Sequence, residues 1–315
     1  MVVLPELPYE SWRDTKETLH RYLQIVGKLR LADSPRRNHW WNVPFHVTGA
    51  GITTRPMGSD PVFALDFDFI EHRLVVATTD GRRESFSLRG LSVAGFHSAF
   101  VDVLTRAGVD PSPIVEATPF DLPDAGRRFA DDTEHATYDE DAVATYWQTL
   151  SRVNLILEEF CGRFSGKTSP VHHFWHTFDI AATRFSDTIV AHDATSDSVT
   201  REAYSREVVS FGFWFGDESY PAPAFYSYTS PEPAGLSSCA LPSGAEWLDR
   251  GASHLAVYPL AAVRDAPDQA AAILDFFEAA YRGGATLAGW DIERYACSGG
   301  VTDPVHAAAK GDRLG

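Results

Sequence analysis

The sequence predicts an α+β fold in two pseudo-repeated halves, each a long helix followed by a mostly antiparallel sheet and a second helix. Three observations predict it. Two long stretches carry apolar residues at three- and four-residue steps, short strand-like segments bounded by turn residues follow each, and a His-bearing segment recurs in both halves.

The first helix covers residues 11–31, where Trp12, Leu19, Tyr22, Leu23, Val26 and Leu29 form one apolar face. Asp33-Ser34-Pro35 ends it. A strand pattern covers 41–54, with Gly49 and Gly51 marking a bend. Two strands occupy 62–79; in Phe63-Ala64-Leu65-Asp66-Phe67-Asp68-Phe69 the alternation buries one face and leaves Asp66 and Asp68 on the other. Asp80-Gly81 is a hairpin turn into 84–88. Ser92 caps a helix carrying Val93, Phe96, Phe100, Val103 and Leu104, and Gly108 stops it. The first half is thus 1–110, and a Pro- and acid-rich connector, 111–137, leads to the second, 138–295.

That half opens with Asp139-Glu140-Asp141, acidic residues where a helix dipole favours them. Val143, Tyr146, Trp147, Leu150, Val153, Leu157, Phe160 and Phe164 make the helix stripe, closed by Gly166 and Pro170. Strands are expected at 172–185, 207–215, 224–230 and 254–260, and a last helix at 268–281. The tail, 296–315, is small and polar and is expected to be disordered. His172 follows His39 by 133 residues, as Asp179 follows His46, and each segment follows a long helix and a Ser-Pro turn. This register predicts a pseudo-twofold arrangement with any site between equivalent strands.

Composition narrows the function classes. Of 315 residues 44% are apolar and 12% aromatic, enough for a substantial core. Acidic residues outnumber basic ones, 43 to 27, a net charge of −16 that repels a phosphate backbone, so nucleic acid is not expected as a partner. No apolar run approaches the ~18 residues of a membrane span, and the N-terminus lacks a signal-peptide pattern. The three cysteines, Cys161, Cys239 and Cys297, are odd in number and widely spaced, which fits a reducing, cytoplasmic location.

Among the motifs, Gly166-Lys167-Thr168 imitates the end of a phosphate-binding loop. The first glycine would have to fall at Cys161, and the segment follows a helix rather than a strand, so the motif is rejected. The densest set of polar groups is His172, His173, His176 and Asp179. On a strand His172 and His176 share one face, and His173 and Asp179 the other. A metal wants three or four converging ligands; a divalent ion here would draw on His39, His172, His176 and Glu207. The competing reading has these residues hydrogen-bonded within an aromatic layer between sheet and helix.

Two functional readings share one cleft. In a small-molecule enzyme, His39 and His172 would act as acid–base or metal groups, with Asp179 and Glu207 orienting them. Arg184 would anchor an anionic substrate, and Trp40, Trp41, Trp175 and Tyr226 would form the walls. In a non-catalytic ligand-binding or interaction protein the same aromatic cleft would need no activated group.

Several segments carry a family resemblance: Asn38-His39-Trp40-Trp41-Asn42-Val43-Pro44, Ser169-Pro170-Val171-His172, Phe178-Asp179, Thr183-Arg184-Phe185-Ser186, Arg201-Glu202-Ala203-Tyr204-Ser205 and Pro231-Glu232-Pro233. In these the chain resembles the bacterial family named domain of unknown function 5996, over residues 7–290. The resemblance implies family membership and brings no activity with it. It also implies that His173 and His176 stand where relatives carry Phe and Gly, and Arg206 where they carry His. A metal site resting on those two histidines would then not be a family property.

Overall fold

The computed structural model describes residues 3–303 and has the expected α+β architecture. Helix α1 (Tyr9–Asp33) starts after Pro8 and stops where Ser34, held extended before Pro35, cannot continue it. Its apolar stripe is buried, but so are Lys16, His20, Arg21, Gln24 and Arg30. A helix enclosed on so many sides is an axle for the fold rather than a surface helix. Each of these five accordingly has a partner. Arg21, for example, pairs with Asp124, while Gln24 exchanges hydrogen bonds with the backbone of Phe120.

A 3-10 turn (Asn38–Trp40) leads into the first sheet: β1 (His46–Val47), β2 (Gly51–Thr53), β3 (Phe63–Asp68), β4 (Arg73–Thr78) and β5 (Arg83–Ser87), antiparallel and in sequence order. Phe63, Leu65 and Phe67 point into the core as their alternation requires. Helix α2 (Val93–Arg106) is capped by Ser92, whose hydroxyl accepts from the Gly95 N–H. The short α3 (Ser112–Val115) begins the connector. That segment is no loose linker: Phe129 is fully buried, and Phe120 and Asp124 lie on α1.

Helix α4 (Glu140–Gly162) is capped by Asp139, which accepts from the N–H groups of Asp141 and Ala142. The second sheet comprises β6 (His172–His173), β7 (Ile180–Ile189), β8 (Arg206–Trp214), β9 (Ala224–Ser230), β10 (Glu246–Asp249) and β11 (His254–Pro259), in the order β6-β7-β8-β9-β11-β10. Helix α5 (Ser198–Ala203) interrupts β7 and β8, and α6 (Leu260–Arg264), α7 (Gln269–Leu287) and α8 (Ile292–Tyr295) complete the chain. The 172–185 stretch is therefore two paired strands joined by a turn at 174–179, not one strand.

The sheets meet edge to edge. Phe45 N–H donates to the His173 carbonyl at 2.8 Å and His173 N–H to the Phe45 carbonyl at 2.9 Å. Below this seam, apolar residues of both halves form one core; Trp12 of α1, for instance, touches the rings of Tyr146, Phe178 and Phe215. The 133-residue register does not match like with like, because His39 lies in a 3-10 turn and His172 in a strand. Part of the expected disordered tail is also ordered. Ala296 pairs with Phe164, the Cys297 N–H donates to the Arg163 carbonyl, and Ser298–Gly300 form a 3-10 turn. Residues 304–315 of that tail lie outside the described residues. No described helix is long and apolar enough to cross a membrane.

Candidate functional site

The second sheet has two unlike faces. Alternation on β7 and β8 sends Arg184, Val209 and Phe211 toward α4 and α7, where Phe211 packs on Phe160 and Phe277. The other face, through Ala181, Thr183, Phe185, Val208, Ser210 and Tyr228, floors a cavity of about 360 Å³. Its walls are Lys28 and Leu31 of α1, the turn bearing His39, Trp40 and Trp41, Val199 and Ala203 of α5, and the loop from Phe174 to Thr177. Trp175 closes the α1 side: its indole N–H donates to the Val43 carbonyl at 3.0 Å, and any side chain at Gly27 would overlap its ring.

His172 lines this cavity at 1% exposure, and neither ring nitrogen has a hydrogen-bond partner. Its neighbours are rings, His46 at 5.4 Å and Phe174 at 5.7 Å between centroids. Burial, with smaller contributions from His46, Arg37, Arg30 and Arg55, holds its pKa well below the usual histidine value. The ring is thus neutral, with one N–H donor and one lone pair, both unused. Leaving buried polar atoms unsatisfied costs roughly 1–3 kcal/mol each.

His39, by contrast, is fully engaged. Its Nδ1 lies 3.2 Å from both the Glu202 and Ala203 carbonyl oxygens, which only accept, so Nδ1 carries the proton. Nε2 is left to accept from the Lys167 ammonium at 2.7 Å. Burial and then Lys167 lower its pKa. Its own N–H donates to the Glu202 carboxylate at 2.9 Å, and Arg36, stacked 3.8 Å over Trp40, reaches the same carboxylate. His39 and Trp40 have φ of 54° and 60°, consecutive left-handed residues that cost of order 1–3 kcal/mol each. The strain turns both side chains over the cavity. The Trp40 indole N–H is buried without a partner.

Asp179 also lines the cavity, positioned by Phe178 at φ 63°. Its oxygens accept from the Tyr226 and Thr177 hydroxyls. Tyr226 is stacked parallel to Tyr228, whose hydroxyl lies 3.1 Å from that of Tyr204; Thr183 and Ser210 form a further hydroxyl pair at 3.0 Å. Burial, then the Asp179 charge, drives the Tyr226 phenol pKa far up, so it stays a donor. Gly212 makes room for this tyrosine, since a Cβ there would strike its ring.

The fold therefore gathers His39, Trp40, Trp41, His172, Trp175, His176 and Asp179 around one cavity, with Tyr226 just behind Asp179. It separates two expected members. Glu207 accepts from the Ser186 hydroxyl and the Trp290 indole N–H, both at 2.9 Å, and does not line the cavity. Arg184 is 2% exposed on the helix-covered face, donating to the Phe160 carbonyl and stacking on Phe160 and Tyr281. It packs as a core residue, apart from the cavity it was expected to line. The proposed metal set of His39, His172, His176 and Glu207 does not converge. Among the described residues the ligand atoms of Asp124, Asp132 and His135 do, but buried Arg21 already pairs with both carboxylates and Arg127 with that of Asp132. His173 faces the core, donating from Nδ1 to the Asp179 carbonyl and accepting from the Tyr146 hydroxyl at 2.5 Å.

Sequence reasoning missed Lys28, Tyr204, Tyr228 and Ser210 in the lining. Alternation in Ala224–Ser230 places Tyr228 beside Tyr226 and would have found it. Lys28 reads only as a polar helix position. Lys167, rejected as a phosphate-loop lysine, is the partner of His39. No curated protein and no solved structure matches the chain. The model of the family described as "Family of unknown function (DUF5996)" matches residues 4–297, nearly the whole sequence, and the chain belongs to that family.

Proposed function

We propose that the protein binds a small molecule in the cavity beneath the His39–Trp41 turn. The observation that carries this reading is His172, buried on the cavity wall with an unused donor and an unused acceptor. Aromatic walls with a few convergent polar groups are the usual make-up of such sites. Binding is favoured over acid–base chemistry because the groups that would drive catalysis are occupied. His39 is held by Lys167 and two carbonyls, Asp179 by two hydroxyls, and Glu207 lies elsewhere. A neutral imidazole without a carboxylate behind it is a weak base but a good recognition group.

The test is a ligand-observed NMR screen of chemically diverse fragments against the full chain. Fragments should bind the native protein and lose binding in Ala203→Trp, which fills the α5 side of the cavity, and in His172→Phe. If no fragment binds, or if binding ignores both substitutions, the cavity is not the site.

A further inference from the structure

We infer that the ligand is a compact organic monoanion, a carboxylate on a flat or ring-shaped apolar body, with Lys28 as its charge partner and His172 and Trp40 as hydrogen-bond partners; this rests on the binding reading above. The argument is an inventory of what the lining leaves unused. Asp179 is its carboxylate, and each of its oxygens accepts a hydroxyl hydrogen bond, from Tyr226 and Thr177. Lys28 lies against the rings of Phe120 and Trp175, 5.8 and 6.0 Å from their centroids. Burial lowers its pKa, with no carboxylate beside it acting in the other direction. Among the groups left without a polar partner are the Lys28 ammonium, the Trp40 indole N–H, both ring nitrogens of His172 and the His176 ring. Lys28 is the one lysine or arginine of the lining and has no carboxylate partner, while Trp40 and His172 offer donors for an anion's oxygens.

Each alternative class meets an obstacle in that inventory. An amino acid would bring an ammonium for which the lining has one carboxylate, Asp179, already accepting from two hydroxyls. A di- or triphosphate would want several cations or a ring of backbone N–H groups, and one lysine is too few. The volume of about 360 Å³ sits at the small end of ligand pockets, which suits one or two rings rather than a nucleotide or a long chain. Trp40, Trp41, Trp175, Phe174 and Phe185 supply flat apolar surface for such a body.

Isothermal titration calorimetry on the full chain at neutral pH tests this with benzoate, cyclohexanecarboxylate and indole-3-acetate, each paired with its uncharged amide, and with phenylalanine as a zwitterion. At least one acid should bind with a stoichiometry near one and about tenfold more tightly than its amide. Lys28→Gln should remove that preference by weakening the acid alone, and Lys28→Arg should keep it. If acid and amide bind alike, or Lys28→Gln weakens both equally, the anion inference is wrong, while loss of binding in Ala203→Trp would still uphold the cavity. If none of the acids binds although neutral fragments do, the ligand class is overturned and the binding reading survives. If neither acids nor fragments bind, both fall.

Discussion

Two adjacent histidines, His172 and His173, have opposite consequences because strand alternation sends them to opposite environments. His173 satisfies both ring nitrogens, through the Asp179 carbonyl and the Tyr146 hydroxyl. Its replacement by Phe leaves the buried Tyr146 hydroxyl without a partner, while the Asp179 carbonyl keeps the Phe174 N–H, and should lower unfolding free energy by about 1–3 kcal/mol. His172 satisfies neither nitrogen, so His172→Phe removes orphaned polar atoms and should leave the ligand-free protein as stable or about 1 kcal/mol more stable. Urea denaturation of both variants checks the pair; equal losses would mean that His172 has a structural partner. Nothing in His172-His173 distinguishes the two, since both read as polar residues on a short strand. The distinction comes from Tyr146, a helix residue 27 positions away.

The turn at Asn38–Trp40 and helix α5 act together as one wall of the cavity. Glu202 is their shared partner, accepting from the His39 N–H while pairing with Arg36. Glu202→Ala removes both contacts but leaves β8, whose bonds to β7 and β9 are independent of them. Hydrogen exchange should then quicken about tenfold in residues 198–205, a local loss of roughly 1–2 kcal/mol, with protection in β8 unchanged. Uniform acceleration would refute a local clamp. At this scale the long elements were legible: the helix expected at 11–31 is Tyr9–Asp33, and the strand at 224–230 is as expected. The two-residue strands β1 and β6 were not, because pairing rather than propensity defines them. Nor could the cavity face of β7 and β8 be read. Both strands are largely buried on both sides, so their sequence lacks the polar alternation that would have put Glu207 and Arg184 away from the site.

The whole molecule depends on the seam between its sheets: His46 on β1 and His172 and His173 on β6 are buried on the joined edge strands, and His20 of α1, also buried, bonds to the Trp175 and His176 carbonyls just past β6. That edge-to-edge joining was invisible in the sequence, as it links backbone 128 residues apart through Phe45 and His173. Burial is the first cause of a lowered pKa in all four, to about 3 for His46 and about 4 for His173, and far down for His20 and His172. Nearby cations add to it, Lys16 and Arg21 around His20, and Arg30, Arg37 and Arg55 around His46 and His172, while Asp179 partly opposes it at His173. Each histidine takes up a proton near pH 6.5 once unfolded but stays neutral in the fold until its lower pKa is reached. Between those values the unfolded chain binds more protons, so their contribution is complete above about pH 6.5 and falls as the pH drops toward 4 and 3. One such group contributes a slope of about 1.4 kcal/mol per pH unit, and several titrating together should exceed it. Urea midpoints between pH 7 and 4.5 should therefore fall more steeply than one histidine allows. Substituting His172 by Phe should flatten the slope by about one group's share. A flat profile across that range would mean these histidines are not buried neutral in the folded protein, and the seam would have to be held in another way.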